Sequence, residues 1–193
     1  MMKRILLVIL LCFSLSAARA QMVGIKTNAL YDVACAPNLT LEVATGTKTS
    51  LSVQCTAMWD TWYKGWTKCK WTRVLSVNPE FRYWMNGSVY NGFFLGGSVQ
   101  FLHYSVIWGD DDRYGNGVGL GLTFGYDMYL SRHWAVEFHG GLNALQYWGH
   151  HYVVAPETGG QSLGGTPHNP GYKEHGLAVL PYQIGVSFVY MIK

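Results

Sequence analysis

The chain has 193 residues, 14 of them basic and 11 acidic, and only 13% of its side chains are charged while 15% are aromatic. Soluble domains carry about 25% charged residues, so the composition points to a low-dielectric setting. Three of the 14 basic residues fall within the first 20 positions. That leaves 11 against 11, which argues against a nucleic-acid partner, because such a partner needs a basic footprint.

Residues 1–20, "MMKRILLVILLCFSLSAARA", run from a basic head (Lys3, Arg4) through an apolar stretch to the small residues Ala18 and Ala20. This is the pattern of a cleaved secretory signal peptide, and the apolar stretch is shorter than the roughly 20 residues of a membrane helix. Cys12 lies inside that stretch rather than beside the cleavage site, so no lipoprotein anchor is expected. Residues 21–193 form one expected domain. They contain no apolar stretch long enough for a helix span, and an exported chain of this composition then fits β-structure.

Eight strands are predicted, at about 23–31, 38–45, 49–59, 71–84, 89–106, 117–130, 134–148 and 177–192. Tight turns are expected at Thr45–Lys48, at Met85–Ser88 (where Asn86-Gly87 is a strong hairpin signal) and at Ser131–His133. Longer loops are expected at 60–70, 107–116 and 149–176. An even strand number with short turns at one end and long loops at the other is the plan of an outer-membrane barrel.

The two faces of each strand decide what lies inside. In the sixth strand Val118, Leu120, Leu122, Phe124, Tyr126, Met128 and Leu130 share one face, and Gly119, Gly121, Thr123, Gly125 and Asp127 share the other. Leu51 and Val53 oppose Ser50, Ser52 and Gln54 in the third strand, and Phe93, Leu95, Val99 and Phe101 oppose Gly92, Gly96, Ser98 and Gln100 in the fifth. In the last strand Tyr182, Ile184, Val186, Phe188, Tyr190 and Ile192 oppose Gln183, Gly185 and Ser187. Small polar side chains suit the crowded interior of an eight-stranded barrel, so the apolar face is expected to look outward at lipid. The eight tryptophans fall near strand ends, Trp84 and Trp134 at the tight-turn end and the others at the long-loop end, as in an aromatic girdle.

On this register Lys26, Glu42, Glu80, Arg82, Asp127, Glu137 and His139 point into the lumen. Charges in so narrow a space should pair or hold water, and a structural ion-pair network that plugs the barrel is expected rather than a proton or ion path. The last long loop holds His150, His151, His168 and His175, without the spacing of a metal site. "GDDDRYG" fails as a calcium loop because Tyr114 replaces a ligand. Neither a metal nor a cofactor is expected. Cys35 and Cys69, both near the long-loop end, are a candidate disulfide in an oxidising exterior; Cys55 sits on the lipid face. Small eight-stranded barrels include lipid A-modifying enzymes, some with a His-x-Ser pair on the lipid face. His103 and Ser105 are the matching catalytic candidates, although no orienting acid is evident.

"GIKTNALYDVACAPNLTLEV" (24–43), "VNPEFRYW" (77–84) and the closing "YQIGVSFVY" resemble a family of small outer-membrane barrels of unknown function from Bacteroides-like bacteria. The resemblance implies the fold and a location in the outer membrane of a Gram-negative bacterium. It also implies a link to fimbrial or other surface-appendage proteins, and it supplies no activity. The last strand further resembles the signal read by the barrel-assembly machinery, through Gln183, Gly185, Phe188 and Tyr190. The expectation is therefore an all-β, eight-stranded antiparallel transmembrane barrel. Its role would be non-enzymatic, and its partners would be outer-membrane lipid, the assembly machinery and a surface protein. A lipid A-modifying enzyme and a soluble periplasmic β-barrel carrier are the alternatives.

Overall fold

The structure, a computed structural model, describes residues 22–59, 69–108, 111–153 and 172–192. The expected signal peptide, residues 60–68 and 154–171 of the loops expected at 60–70 and 149–176, and with them Trp62, Trp66 and His168, lie outside the described residues. Eight antiparallel strands form the fold: β1 (Val23–Asn28), β2 (Asn38–Ala44), β3 (Thr49–Trp59), β4 (Cys69–Trp84), β5 (Gly92–Trp108), β6 (Asp111–Tyr129), β7 (Trp134–Val153) and β8 (Tyr172–Ile192). Each pairs with the next, and β1 pairs with β8 through Ile25 and Tyr190, so the sheet closes on itself. Strand length rises from 6 residues in β1 to 21 in β8. The wall is therefore low at β1–β2 and tall at β5–β8.

The period-two pattern sorts the faces as the composition requires. The inner face buries Lys26, Thr40, Glu42, Ser52, Gln54, Asn78, Glu80, Arg82, Thr123, Asp127 and Glu137. The outer face exposes Leu120 (69%), Leu122 (74%), Phe124 (62%), Leu177 (68%) and Val179 (68%). This inverts the ordinary distribution, in which large aliphatic side chains are buried and charged ones exposed.

Five expectations are corrected. First, β1 ends at Asn28, where the expected strand ran to residue 31. A single helical turn, α1 (Ala29–Val33), follows, because the Asn28 side chain accepts from the Leu30 N–H at 3.0 Å and caps it. Second, the region expected as a loop at 107–116 is mostly strand. β5 and β6 continue in register up to Trp108 and Asp111, and β7 and β8 extend likewise to Val153 and Tyr172, taking His150, His151 and His175 into the wall.

Third, the tight turn expected at Met85–Ser88 is longer. Residues 85–91 separate β4 from β5, with positive φ at Gly87 (77°) and Tyr90 (65°), and this folds Val89 and Tyr90 back under the ring. Fourth, Trp84 is no girdle residue. It shares the parity of Glu80 and Arg82, faces inward and is fully buried, with its indole N–H donating to Ser50 Oγ at 2.9 Å. Its ring centroid lies 5.0 Å from Phe94 and 5.9 Å from Tyr90. Together with Ala44, Val89, Ala135, Val189 and Met191 these rings form an apolar layer that closes the tight-turn end. Gly125 makes room for it, since a Cβ there would meet the Phe94 ring at 2.6 Å.

Fifth, Tyr182 faces the lumen. His139 pairs with Gly185, but Gly141 pairs with Tyr182, so Gln183 and Ile184 together oppose Gly140. This β-bulge, with Gln183 at φ 50°, turns Tyr182 and Gln183 inward together.

Removing the central ring of the closing layer tests this account. Trp84→Ala should lower unfolding stability by about 3–5 kcal/mol, the usual cost of deleting a buried Trp or Phe side chain. Denaturant titration of the folded barrel reads it. A loss below about 1 kcal/mol would mean that the indole is not packed as described.

Candidate functional site

The lumen holds a charge network that rests directly on the aromatic layer. The Arg82 guanidinium lies 4.5 Å over the Phe94 ring, and Lys26 Nζ lies 5.3 Å from the Tyr90 ring centroid. β1 supplies Lys26, β2 Glu42, β4 Glu80 and Arg82, β6 Asp127, and β7 Glu137 and His139. Lys26 bridges Glu42 and Glu137. Arg82 Nη1 donates to Glu137 Oε2 at 2.8 Å and to Glu42 Oε2 at 3.3 Å, and Nη2 donates to Glu80 Oε2 at 3.0 Å. Ser50 donates to Glu42, and Thr123 donates to Glu80. All of the sequence-predicted lumen charges therefore face one space.

His139 joins from above. Its Nδ1 lies 3.0 Å from Glu137 Oε1, and its Nε2 lies 3.2 Å from the Asn28 amide nitrogen. Because Asn28 Oδ1 already accepts from Leu30 N–H, the amide presents its N–H to the imidazole. The imidazole thus lies between a Glu137 carboxylate oxygen and the Asn28 amide. Asn28 also donates its backbone N–H to Asn38 Oδ1 at 2.8 Å, and Asn38 Nδ2 returns a bond to Asn28 O at 3.1 Å. Gly185 makes space for this amide, because a Cβ there would collide with it. Asn28 and Asn38 are functional to the network and carried no charge signal; only their place in "KTN" and "PN" singled them out.

Asp127 is the exception within the network. It is fully buried, neither oxygen accepts a hydrogen bond, and it sits directly across the β6–β7 ladder from Glu137. Like charges directly opposed on a sheet destabilise it. Beyond the network a neutral polar layer follows, with Gln183 Nε2 donating to Gln54 Oε1 at 2.8 Å and to Tyr182 Oη at 3.1 Å, and Asn143 donating to Gln100. The long-loop mouth opens on a cavity of about 240 Å³ beside Tyr104, Arg113, Tyr147 and Glu174.

The remaining candidates lie on the outer wall and at its rim. His103 and Ser105 share the outward face of β5, and His103 Nδ1 lies 2.9 Å from Asn116 Oδ1 on β6. Among the described residues no hydrogen bond joins His103 to Ser105, and the partner of the imidazole is a neutral amide. Gln183 and Gly185 face the lumen, whereas Phe188 (48%) and Tyr190 (42%) are exposed on the outer wall. Cys35 is a free, exposed thiol, so the expected bridge to Cys69 is corrected. The Cys69 side chain lies outside the described residues, but its backbone explains the separation. Asn38, Thr56 and Ser76 share a rung, and Cys69 stands seven residues further up β4, about 24 Å along the strand at roughly 3.4 Å per residue, whereas the three residues from Asn38 back to Cys35 can span at most about 11 Å of it. A disulfide needs its Cα atoms within about 7 Å. No group of three or more His, Cys, Asp or Glu among the described residues could hold a metal ion.

Fold and lumen together define a small closed antiparallel β-ring with a buried ionic core. Over residues 5–192 the chain matches the family described as protein of unknown function (DUF3575), and it belongs to that family. No curated protein and no solved structure matches it.

The two kinds of lumen carboxylate should respond oppositely to substitution. Glu137→Ala, which takes one carboxylate partner from both Lys26 and Arg82, should cost about 3–5 kcal/mol. Asp127→Asn replaces a buried carboxyl that accepts no hydrogen bond and should leave stability unchanged or raise it. Parallel unfolding curves in detergent decide this, and equal losses for the two variants would contradict the assignment.

Proposed function

We propose that the chain is a non-enzymatic barrel of the outer membrane of a Gram-negative bacterium, exported by its N-terminal segment and sealed through its lumen. In this reading the long-loop rim, exposed at the cell surface, engages a surface or appendage protein. The inverted polarity of the two faces carries the reading: a buried face of charges, hydroxyls and amides, and an exposed face of leucine, valine and phenylalanine.

The height of the apolar band supports it. On β6 the outward positions from Val118 to Met128 are uninterrupted by charge. Ten residue steps at about 3.4 Å, on strands tilted by about 40°, give a band of about 26 Å. Outer-membrane barrels carry a band of about 25 Å. Trp134 and Tyr190 meet edge to face at 5.0 Å at the tight-turn boundary of the wall, where an aromatic girdle would lie. A soluble carrier would need the apolar face inside, and here the apolar face is the exposed one.

The sealed lumen follows from the stacked aromatic and ionic layers, in which Trp84, Tyr90, Phe94 and Met191 are essentially inaccessible. The hydrolase alternative draws support from His103 being oriented by Asn116. It lacks a hydrogen bond from Ser105 to the base and an acid behind the base, so the non-enzymatic reading is favoured.

Three experiments test the proposal. The purified chain should require detergent and run at different gel positions before and after boiling. Leu122→Arg, at the centre of the band, should cost about 2–4 kcal/mol in a bilayer. A chain that is soluble and monodisperse without detergent contradicts the membrane reading. In planar bilayers the native protein should show no steady conductance, whereas the double variant Trp84→Ala, Tyr90→Ala should leak. Steady conductance by the native protein contradicts the seal.

A further inference from the structure

The outer wall of the tall side carries a groove that none of the lumen chemistry uses. Its volume is about 520 Å³, within the roughly 300–1,000 Å³ range of ligand sites. Two consecutive outward rungs build it. His103, Asn116, Trp148 and His175 stand in register across β5 to β8, and Tyr114, His150 and Lys173 stand in register one rung further from the tight-turn end. The rung on the other side, Phe101, Val118, Gln146 and Leu177, is the upper edge of the apolar band.

We infer that this groove binds the phosphate-bearing headgroup of a lipid whose acyl chains lie along the band beside it; the inference rests on the membrane reading above. Three observations point to this ligand. The first is depth: the groove begins where the aliphatic wall stops, and Trp148 there is a residue suited to the headgroup level. The second is chemistry. The groove offers the Lys173 ammonium, the imidazoles of His150 and His175, the Asn116 amide and the Trp148 indole, all of them able to donate hydrogen bonds to an anion.

No carboxylate opposes these donors. Glu174 borders the groove, but its Oε1 lies 3.9 Å from Arg113 Nη1 on the lumen side of the wall. Asp112 stands one rung beyond the groove. The third observation is that two donors are held in place before any ligand arrives. The Tyr114 and His150 rings stack at 5.4 Å and 23°, and His103 Nδ1 lies 2.9 Å from Asn116 Oδ1. That bond puts the amide oxygen on the imidazole and leaves the amide N–H groups to donate elsewhere. It thus gives His103 and Asn116 a role without a nucleophile.

The test uses the full chain in detergent, with bound lipid counted by native mass spectrometry. The probes are diphosphorylated lipid A, the same lipid with its phosphates removed, and inorganic phosphate. The phosphorylated lipid should be retained at least about tenfold better than the dephosphorylated one. Lys173→Ala with His175→Ala should abolish that preference, Lys173→Arg should restore most of it, and Lys48→Ala at the opposite end should leave it intact. Equal retention of both lipids by a barrel that still shifts in the gel on boiling overturns this inference alone. So does inorganic phosphate displacing nothing while both lipids bind alike. A chain that neither shifts on boiling nor enters lipid overturns the membrane reading, and this site with it. Should the double variant lose its heat-dependent mobility, the comparison of the two lipids on the native protein decides the matter.

Discussion

An eight-stranded ring encloses barely enough space for side chains, and every other property of this protein is a response to that constraint. Water cannot fill the lumen as a solvent, so the charges that enter draw together into one network. Glu137 shows the solution. Its carboxylate takes Lys26 from β1 and Arg82 from β4, partners 111 and 55 residues away in the chain. Arg82 in turn reaches Glu42 and Glu80. The network therefore ties β1, β2, β4 and β7 across the hollow of the ring, where backbone hydrogen bonds tie only neighbours.

The same constraint shapes the glycines and the ends. Where a bulky group turns inward, a glycine gives way: Gly125 before Phe94, Gly185 before Asn28, Gly24 before Tyr90. At the tight-turn end charge gives way to rings, and the turn that follows β4 folds Tyr90 inward so that its hydroxyl donates to the Glu42 carbonyl at 2.9 Å. At the other end the wall rises on β5 to β8 and turns polar on its outer face, while the lumen widens to a small mouth. One end is shut by packing, and the other offers chemistry.

Much of this was legible, because a period of two needs no knowledge of the partners. Face assignment from β6 alone, glycine and threonine against leucine and phenylalanine, implied both the ring and the direction of its polarity. Lys26, Glu42, Glu80, Arg82, Asp127, Glu137 and His139 followed from parity. Trp84 followed from the same parity, two residues after Arg82, and was misplaced because its position at a strand end suggested a girdle. Tyr182 was not legible: a bulge changes parity in mid-strand, and nothing in "PYQIG" announces that Gln183 takes a positive φ. The extension of β5 and β6 was hidden by "GDDDRYGNG", whose composition is that of a turn although its residues from Asp111 onward pair as a hairpin stem. Which acid meets which base was hidden as well, since those distances belong to the closed ring and not to any strand.

The claim on which the account rests is that the two faces of each strand meet different media, acyl chains outside and a sealed polar space within. Spin labels placed one at a time at consecutive positions from Gly119 to Asp127, in a background without cysteine and in lipid bilayers, test it most directly. The account predicts that oxygen, which concentrates in lipid, reaches labels at Leu120, Leu122, Phe124 and Tyr126 and is excluded from the positions between them, with a water-soluble nickel reagent excluded from both sets. Free access of the nickel reagent to the leucine positions, or an oxygen profile without the period of two, would contradict it.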